Sequence, residues 1–406
     1  MKVCLINPQD PLDEDGLWDE PLGLLYLGAV LHENGVDVDV VDMNFHKGLG
    51  ELRHHEADVY GLYCSSGILT SALKTNDFLK TTFPDSLRIV GGPHATCLPN
   101  QMLKHFDKVV VGEGERAILE ALDTNKKIIM CPPIENLDTL PFPMRELVPI
   151  KKYHRRVDGR ISTGMITARG CPYGCSFCSK VWGHTVRFRS AENIIAEATE
   201  IKNRYDIHAL SIRDDTFTLN KKRLHKILDG FEQLDLAWCC LTRVDQVDEK
   251  TLLRMKEVGC TRIVYGIESG SQKILDLLRK GTTVEQNARA IELTKKVGIP
   301  VKTSIIIGSP GETQETVDAS IRFIEEHRPD EQIVCTFTPY PGSAVWDNPD
   351  LFNVKILHRR IDEYAAVGAG MKGNVVMETK EMNAQEIADA HERVLTHFRG
   401  LGIIKN

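Results

Sequence analysis

Residues 163–178 read Thr-Gly-Met-Ile-Thr-Ala-Arg-Gly-Cys-Pro-Tyr-Gly-Cys-Ser-Phe-Cys, a short strand-like run followed by a loop with three thiols. The strand is the first of a series that alternates with helix-like segments. Strands are predicted at 163–168, 209–213, 237–241, 262–266, 301–307 and 332–338. Helices are predicted at 191–205, 222–234, 249–258, 271–278, 284–297 and 315–326. This alternation is typical of a parallel sheet and predicts a curled, open sheet, a partial (β/α)6 barrel over 161–345.

The loop brings Cys171, Cys175 and Cys178 close together in the sequence. Thiolates are soft ligands that suit iron–sulfur clusters or zinc. A structural zinc site needs four ligands, whereas a cubane cluster held by three cysteines leaves one iron open to substrate. The loop also follows a parallel strand, where the active sites of barrels lie. We therefore predict a 4Fe–4S cluster, with a zinc loop completed by His184 as the alternative.

The first part of the chain alternates strand and helix as well. Strands are predicted at 2–7, 36–41, 59–64, 87–90 and 109–111, and helices at 23–34, 68–81 and 116–122. The order predicts an α/β domain over 1–123, a doubly wound parallel sheet whose ligand binds outside the carboxyl ends of the strands. Prolines then break the pattern, and we predict a linker over 124–160 that runs across the surface. The helical region over 346–406 is expected to cover the substrate site.

The composition indicates a globular chain and argues against nucleic acids and membranes as partners. Of the 406 residues, 42% are hydrophobic and 26% are charged, and the formal net charge is −7. We therefore expect neither a nucleic-acid partner nor a membrane partner. The first residues read as a buried strand rather than a signal peptide, and the odd count of 11 cysteines argues against a disulfide scaffold. These features predict a cytoplasmic location.

The cysteine spacing, with Phe177 before the third cysteine, resembles the signature of the radical S-adenosylmethionine (SAM) superfamily. The resemblance covers about 160–345. It implies that the amino and carboxylate groups of SAM chelate the open iron, and that one electron from the reduced cluster breaks a sulfur–carbon bond. The product would be a 5′-deoxyadenosyl radical, which the protein shields from water.

Later strand ends resemble the SAM-binding segments of that superfamily. The resemblance implies a carboxylate for the methionine ammonium after the second strand, an arginine for its carboxylate after the third, and a ribose acceptor after the fourth. The segment Ile306-Ile307-Gly308-Ser309-Pro310-Gly311-Glu312 resembles the part that contacts adenine. Ordinary strand ends, a surface arginine and a helix cap are the alternatives. The implied SAM contacts are Phe177, Asp214, Asp215, Arg243, Glu268, Ser269, Gly308 and Glu312.

The first domain resembles the cobalamin-binding domain that precedes the radical domain in one large subfamily. Matching stretches are Pro21-Leu22-Gly23-Leu24-Leu25-Tyr26-Leu27-Gly28, Val90-Gly91-Gly92-Pro93-His94-Ala95-Thr96 and Gly112-Glu113-Gly114-Glu115. The implied cobalamin contacts are Asn7, Pro8, Gly23, Asn44, Ser65, Ser66, Gly91, Gly92, Pro93, His94, Gly112, Glu113 and Gly114. A sheet retained only for packing is the alternative.

One departure from the cobalamin pattern concerns the cobalt ligand. Many such domains supply a histidine from an Asp-x-His-x-x-Gly motif, but here Asn44 stands where histidine would. His46 is displaced by two residues and reads as a loop histidine. We therefore expect no protein histidine on cobalt, and we expect His94 to line the pocket of the nucleotide tail.

A cluster, SAM and cobalamin together resemble the cobalamin-dependent radical methylases. Their substrate would be a small molecule or natural-product precursor, methylated at an unactivated carbon. An electron donor such as flavodoxin or ferredoxin is expected to reduce the cluster. The architecture also resembles cyclases that close rings or insert oxygen from water. A cobalamin or iron–sulfur sensor and a thiomethyl-transferring tRNA enzyme are further alternatives.

Overall fold

The computed structural model describes residues 1–10, 19–46, 48–360, 364 and 374–404. The chain divides into two compact units, Met1–Arg155 and Arg156–Asn406. Each unit is built on its own six-stranded sheet. Over the described ranges, no helix combines the length and the apolar composition that a membrane span requires.

The sheet of the first unit is parallel, with the strand order β2-β1-β3-β4-β5-β6. Its strands are β1 (Lys2–Asn7), β2 (Asp37–Asp42), β3 (Val59–Tyr63), β4 (Leu87–Gly91), β5 (Lys108–Val111) and β6 (Ile128–Met130). Its helices are α1 (Leu22–Glu33), α2 (Leu69–Thr82), α3 (Pro93–Cys97), α4 (Pro99–Met102) and α5 (Gly114–Asp123). The order reverses between β1 and β3, and doubly wound sheets bind their ligands at such a switch point. The predicted doubly wound sheet is confirmed.

The segment predicted as a linker packs largely on the first unit. Strand β6 pairs with β5, and a Cβ on Gly28 of α1 would lie only 2.5 Å from a methyl group of Leu147. Tyr153 is fully buried and donates its hydroxyl hydrogen to Asp42 over 2.7 Å. The structure thus differs from the expected surface linker over 124–155, because prolines prevent regular helix and sheet but do not prevent apolar side chains between them from packing.

The second unit opens with the antiparallel pair β7 (Arg156–Val157) and β8 (Arg160–Ile161). Six parallel strands then follow in chain order, from β9 at one edge to β16 at the other. They are β9 (Thr163–Met165), β12 (Ala209–Ile212), β13 (Ala237–Thr242), β14 (Cys260–Glu268), β15 (Val301–Ile307) and β16 (Glu331–Thr336). Between β9 and β12, β10 (Ala168–Arg169) pairs with β11 (Arg187–Phe188). No pairing joins β9 to β16 in the described part of the unit, so the sheet is open, as predicted.

Helices follow the strands of this sheet. They are α6 (Ala191–Tyr205), α7 (Lys221–Leu234), α8 (Glu249–Glu257), α9 (Gln272–Leu277), α10 (Val284–Lys296), α11 (Gln314–His327), α12 (Ala344–Asp347) and α13 (Ala384–Gly400). A small antiparallel pair, β17 (Val354–Ile356) and β18 (Met377–Thr379), precedes α13.

The two faces of the second sheet differ in exposure. On β14, Ile263 and Tyr265 are fully buried, and the Tyr265 hydroxyl bonds to Thr294 of α10 over 2.9 Å. Val264 and Gly266 point the other way and are partly exposed. Because side chains alternate along a strand, this pattern indicates helices on one face and a partly open inner face on the other.

The last helix belongs to the outer layer. A carbonyl oxygen of β16, that of Val334, lies 3.4 Å from His391 of α13, and a Cβ on Gly308 would lie 2.6 Å from Ile387 of α13. Helix α13 thus lies along the edge strand β16, and its ion pairs with Asp318 and Glu325 place it beside α11. The expected cover of the substrate site also includes residues 361–363 and 365–373, which lie outside the described residues.

We predict that Tyr153→Phe loosens the first unit. The substitution removes a hydrogen bond to a buried carboxylate, an interaction of about 1.5–3 kcal/mol. Amide hydrogen exchange followed by mass spectrometry should therefore speed up about tenfold in peptides from β1 and β2. Peptides from the second unit serve as the internal control. Unchanged exchange in β1 and β2 would contradict a structural role for this contact.

Candidate functional site

The cysteine loop leaves β10 through a position that only glycine can fill. Gly170 has a φ of +93°, and a Cβ there would lie 2.3 Å from the carbonyl oxygen of Thr185. The next residue, Cys171, donates its N–H to the carbonyl of Gly183 over 3.3 Å. The sharp turn and the close return of the chain hold the loop at the carboxyl end of the first strand.

The three thiols differ in their surroundings. Cys175 is buried, Cys171 is half-buried and Cys178 is exposed at the loop surface. Burial raises the pKa of Cys171, and burial of the sulfur together with the charge of Asp215 raises the pKa of Cys178 to about 11. Without a metal these two thiols are protonated at neutral pH, so cluster binding has to displace their protons.

The loop supplies three thiols, which is the number that a 4Fe–4S cluster takes when one of its irons stays open. Across the described ranges, no group of three or more His, Cys, Asp or Glu side chains is already arranged around a single ion.

Hydrogen bonds to later parts of the unit anchor the cysteine loop. The N–H of the fully buried Ser176 donates to the carbonyl of Leu278 over 2.9 Å, and its carbonyl accepts the N–H of Val345 over 3.2 Å. The hydroxyl of Ser179 donates to the carbonyl of Pro341 over 2.8 Å. The thiols are thus tied to the segments that follow α9 and β16.

Two neighbouring carboxylates after β12 have different surroundings. Asp214 is buried and accepts the N–H groups of Thr167 and Ala168 over 2.6 and 3.1 Å, together with the Thr167 hydroxyl. Burial raises the pKa of Asp214. Asp215 is exposed, and no hydrogen bond to its side chain is present within the described residues. Asp214 therefore positions the segment before the cysteine loop, whereas the carboxylate of Asp215 stays exposed beside it.

A buried cationic network lies behind Asp214. Arg223 donates to the carbonyls of Thr167 and Arg189 over 2.6 and 2.7 Å. Arg189 donates to the carbonyl of Ile166 over 2.9 Å and pairs with the buried Glu197. No local sequence pattern predicts these roles, because arginines near helices and strand ends are ordinarily solvated. Together they hold the entry to the cysteine loop.

Arg243 lies beside the cysteine loop, and two nitrogens of its guanidinium already have a protein partner. Its Nε and Nη2 donate to the carboxylate of Asp245 over 3.0 and 3.1 Å. The guanidinium also stacks on Tyr173, 3.5 Å from the ring centroid. Such a cation–π contact fixes the plane of the guanidinium next to the thiols. Tyr173 and Asp245 are site residues that the sequence analysis missed.

The fourth strand ends in a bulge just before Glu268, and Glu268 and Ser269 have different contacts. The pairing of β14 with β15 shifts between Gly266 and Glu268, and Glu268 has a φ of +62°. Its carboxylate pairs with Lys280 over 2.6 Å. Ser269 is fully buried, where its hydroxyl bonds to Ser320 over 3.2 Å. The Ser269 side chain is thus directed to α11 by its own hydrogen bond.

The buried side chain of Glu312 stabilises the loop after β15 by accepting backbone hydrogen bonds. It is fully buried and accepts the N–H groups of Gly308 and Ser309. Burial raises the pKa of Glu312 to about 8, and its Oε1 has no hydrogen-bond partner in the described part of the chain. The Glu312 carboxylate thus stabilises the turn after β15 by accepting two of its backbone N–H groups.

In the first unit, the ends of β3, β4 and β5 leave room for a bulky ligand. Gly92 has a φ of +102°, and a Cβ there would lie 2.8 Å from the carbonyl oxygen of Cys64. Gly112 has a φ of +81° with open space around it. Partly exposed residues at this edge are Ser65, Ser66, Gly91, Gly92, Pro93, Gly112 and Gly114.

His94 places an unsatisfied polar atom at the same edge. Its Nδ1 lies 3.1 Å from the hydroxyl of Ser66, whereas its buried Nε2 has no partner in the described ranges. Burial lowers the pKa of His94 to about 4, so the imidazole is neutral. A buried polar atom without a partner costs about 1–3 kcal/mol, which a bound ligand could offset.

The predicted contacts near β1 and β2 are tied to one another. The side chains of Asn7 and Asn44 both donate to Asp42, over 3.0 and 2.8 Å, and the Asn44 oxygen accepts the N–H of Asp10. Their amide groups thus stabilise the strand ends. Three further predicted contacts differ in exposure: Pro8 is buried, Gly23 is exposed in α1, and Glu113 is buried and accepts the N–H of Ile134 over 2.7 Å.

Two family models match the chain. The model of the B12 binding domain matches residues 19–122. The model of the Radical SAM superfamily matches residues 165–324. Each match falls within one of the two units.

Similar proteins of known name cover nearly the whole chain. An uncharacterised methyltransferase of Pyrococcus horikoshii is 32% identical over 98% of this chain and 92% of its own length. An anaerobic magnesium-protoporphyrin IX monomethyl ester cyclase of Rubrivivax gelatinosus is 27% identical over 98% of this chain and 77% of its own length. The solved structure of the radical SAM methyltransferase TsrM from Kitasatospora setae, with cobalamin and a [4Fe–4S] cluster bound, has a TM-score of 0.70. Its 17% identity, over 97% of this chain and 81% of TsrM, shows a shared fold.

These matches confirm the family and the cofactors predicted from the sequence. The relative from Pyrococcus is similar over both units, and the two models identify a cobalamin domain followed by a radical domain. The chain therefore belongs to the cobalamin-dependent radical SAM methyltransferases, whose cofactors are a 4Fe–4S cluster, SAM and cobalamin.

Proposed function

We propose that the protein methylates an unactivated carbon of a small molecule or natural-product precursor. One observation carries the SAM-dependent part of the proposal: the cysteine loop, the exposed carboxylate of Asp215 and the guanidinium of Arg243 lie together in the second unit. The similarity to the methyltransferase of Pyrococcus horikoshii favours methyl transfer as the reaction. The charge of Asp215 acts on the thiols of Cys171 and Cys178, and Arg243 acts on Cys171. The methionine end of SAM requires a cluster iron, an acceptor for its ammonium group and a hydrogen-bond donor for its carboxylate.

Each of these residues has a distinct task in the proposal. Cys171, Cys175 and Cys178 hold the cluster, and Asp215 accepts from the methionine ammonium. Arg243, with two donors on Asp245, offers its remaining N–H groups to the methionine carboxylate. When bound, the cluster and SAM supply radical chemistry and cobalamin supplies a transferable methyl group. The protein orients these groups and excludes water.

In the first unit, we assign cobalamin to the ends of β3, β4 and β5. Open space lies around Gly112, whereas Gly92 packs against Cys64 and Tyr63, so room for a corrin ring is on the Gly112 side of this edge. Ser65 and Ser66 are partly exposed there and supply polar groups for the nucleotide tail. The buried, neutral His94 supports Ser66 through the contact between Nδ1 and the serine hydroxyl.

A cyclase is the second candidate function. The cyclase of Rubrivivax gelatinosus aligns with nearly the whole chain, and methyltransferases are similar over a comparable range. Either reaction needs a reduced cluster, and we expect flavodoxin or ferredoxin to deliver the electron.

Methyl-labelled SAM distinguishes the candidates. The reconstituted enzyme is incubated anaerobically with reductant, cobalamin, labelled SAM and a pool of small-molecule candidates. We expect label in a product that also contains the substrate skeleton. Consumption of SAM with a changed but unlabelled product would favour the cyclase. An intact cluster without any SAM turnover would favour a sensor.

Each cluster cysteine should be indispensable for iron binding. We expect Cys171→Ala, Cys175→Ala and Cys178→Ala to lower bound iron and sulfide at least about tenfold, since changes next to metal ligands already cost that much. Cys97→Ala, in α3 of the first unit, is the matched control and should keep the wild-type content. Anaerobic reconstitution, iron analysis and visible absorption give the answer. A full complement of iron in any of the three variants would remove that residue from the cluster site.

The two neighbouring aspartates should respond differently to the same substitution. Asp215→Asn removes a charge-assisted contact of about 1.5–3 kcal/mol and should weaken SAM binding roughly ten- to a hundredfold with the cluster retained. Asp214→Asn should lower the unfolding temperature, because Asp214 accepts buried N–H groups. Calorimetric titration and thermal unfolding measure the two effects. Equal SAM affinity in wild type and Asp215→Asn would contradict the assignment.

A further inference from the structure

Lys280 is a buried lysine in the turn after α9, outside the set of proposed binding residues. It is 8% exposed, and its Nζ lies 2.6 Å from Oε1 of Glu268. The partner is equally enclosed, at 6% exposed. Lysine is almost never this buried unless it is paired. The position of Lys280 is therefore set by Glu268, and the reverse also holds.

The turn that carries Lys280 is fixed by its own backbone. The N–H of Lys280 donates to the carbonyl of Leu275 in α9 over 3.0 Å. Arg279 and Gly281 on either side have φ values of +52° and +69°. The same turn presents the carbonyl of Leu278, which accepts the N–H of Ser176 from the cysteine loop. One rigid turn thus touches both the cluster loop and the end of β14.

The ion pair uses only half of the Glu268 carboxylate. Oε1 accepts from Lys280, and no hydrogen bond to Oε2 is present in the described part of the unit. Oε2 is therefore the carboxylate oxygen that Lys280 does not use. Gly266 makes room for this arrangement, since a Cβ there would lie 2.3 Å from Oε1 and 2.9 Å from the Lys280 Nζ.

Stability alone does not account for this arrangement. A buried ion pair is often no more stable than apolar side chains of similar volume. The left-handed backbone of Glu268 adds a further cost, because residues other than glycine are strained at a φ of +62°. Strained residues held by their surroundings are concentrated at functional sites.

We propose that Lys280 is a positioning residue for SAM: it holds Oε1 of Glu268 and leaves Oε2 to accept the ribose hydroxyls. Through the carbonyl of Leu278, the same turn sets the distance between the ribose acceptor and the cluster loop. The ring of Phe177, with its centroid 6.0 Å from the Lys280 Nζ, closes this turn against the loop. The inference rests on the proposed function and on the role of Glu268 as the ribose acceptor, which the family resemblance implies.

The test measures recognition of one hydroxyl rather than activity. Full-length, cluster-loaded protein is titrated by calorimetry with 5′-deoxyadenosine and with 2′,5′-dideoxyadenosine. We expect the wild type to prefer the nucleoside with the 2′-hydroxyl at least about tenfold, the value of one hydrogen bond to a charged group. Glu268→Gln and Lys280→Met should each lose most of this preference. The double variant should lose no more than either single variant, because both act on one carboxylate.

Controls separate positioning from folding. Lys296→Met breaks an exposed pair with Glu249, of similar length at 2.7 Å, and should leave the preference unchanged. Lys280→Arg keeps a positive charge beside Glu268 and should restore part of the preference. Iron content and thermal unfolding are recorded for every variant. If Lys280→Met does not fold, Lys280→Gln replaces it as the single variant. The double variant stays usable, because removing both partners leaves no unpaired charge in the interior.

The outcomes separate this inference from the proposed function. If Glu268→Gln loses the preference and the folded Lys280 variant keeps it, Lys280 does not position Glu268. A Lys280 variant that binds SAM less tightly but still distinguishes the two nucleosides would place Lys280 on the methionine end, which also overturns the inference. Wild-type preference in Glu268→Gln would instead overturn the ribose assignment of Glu268 itself.

Discussion

The buried carboxylate of Asp214 is the contact on which the arrangement of the second unit's site depends. It accepts the N–H groups of Thr167 and Ala168, and so it joins the end of the second strand to the beginning of the cysteine loop. Arg223 holds the carbonyl of Thr167 from behind. Buried polar groups of this kind have to be satisfied, because an unpaired carboxylate in the interior is costly. The loop that carries the thiols therefore starts from a fixed point.

Neighbouring polar residues beyond the strand ends of this unit have different contacts. Asp214 accepts buried N–H groups, whereas the neighbouring Asp215 is exposed. Ser269 bonds to Ser320 of α11, whereas Glu268 pairs with Lys280. Because these residues lie at or beyond the ends of β12 and β14, their own hydrogen bonds set the direction of each side chain.

In the first unit, small residues rather than large side chains line the candidate ligand edge. Its ligand edge consists largely of glycine and serine at the ends of β3, β4 and β5, where left-handed backbone at Gly92 and Gly112 excludes side chains. Neighbouring positions near β1 and β2 are engaged in the hydrogen bonds around Asp42. The open positions therefore lie at the ends of β3, β4 and β5, to one side of the point between β1 and β3 where the strand order reverses.

The sequence by itself determined the two sheets, the cysteine loop and the cofactors. Hydrophobic periodicity and glycine-ended strands depend on local neighbours, and the thiol spacing is a property of one loop, so both can be read along the chain. Only the tertiary structure decided which carboxylate of a pair is free, that residues 124–155 pack on the first unit, and that Lys280 reaches Glu268. Those outcomes depend on a bulge, on burial and on contacts between residues distant in sequence, and no local pattern encodes them.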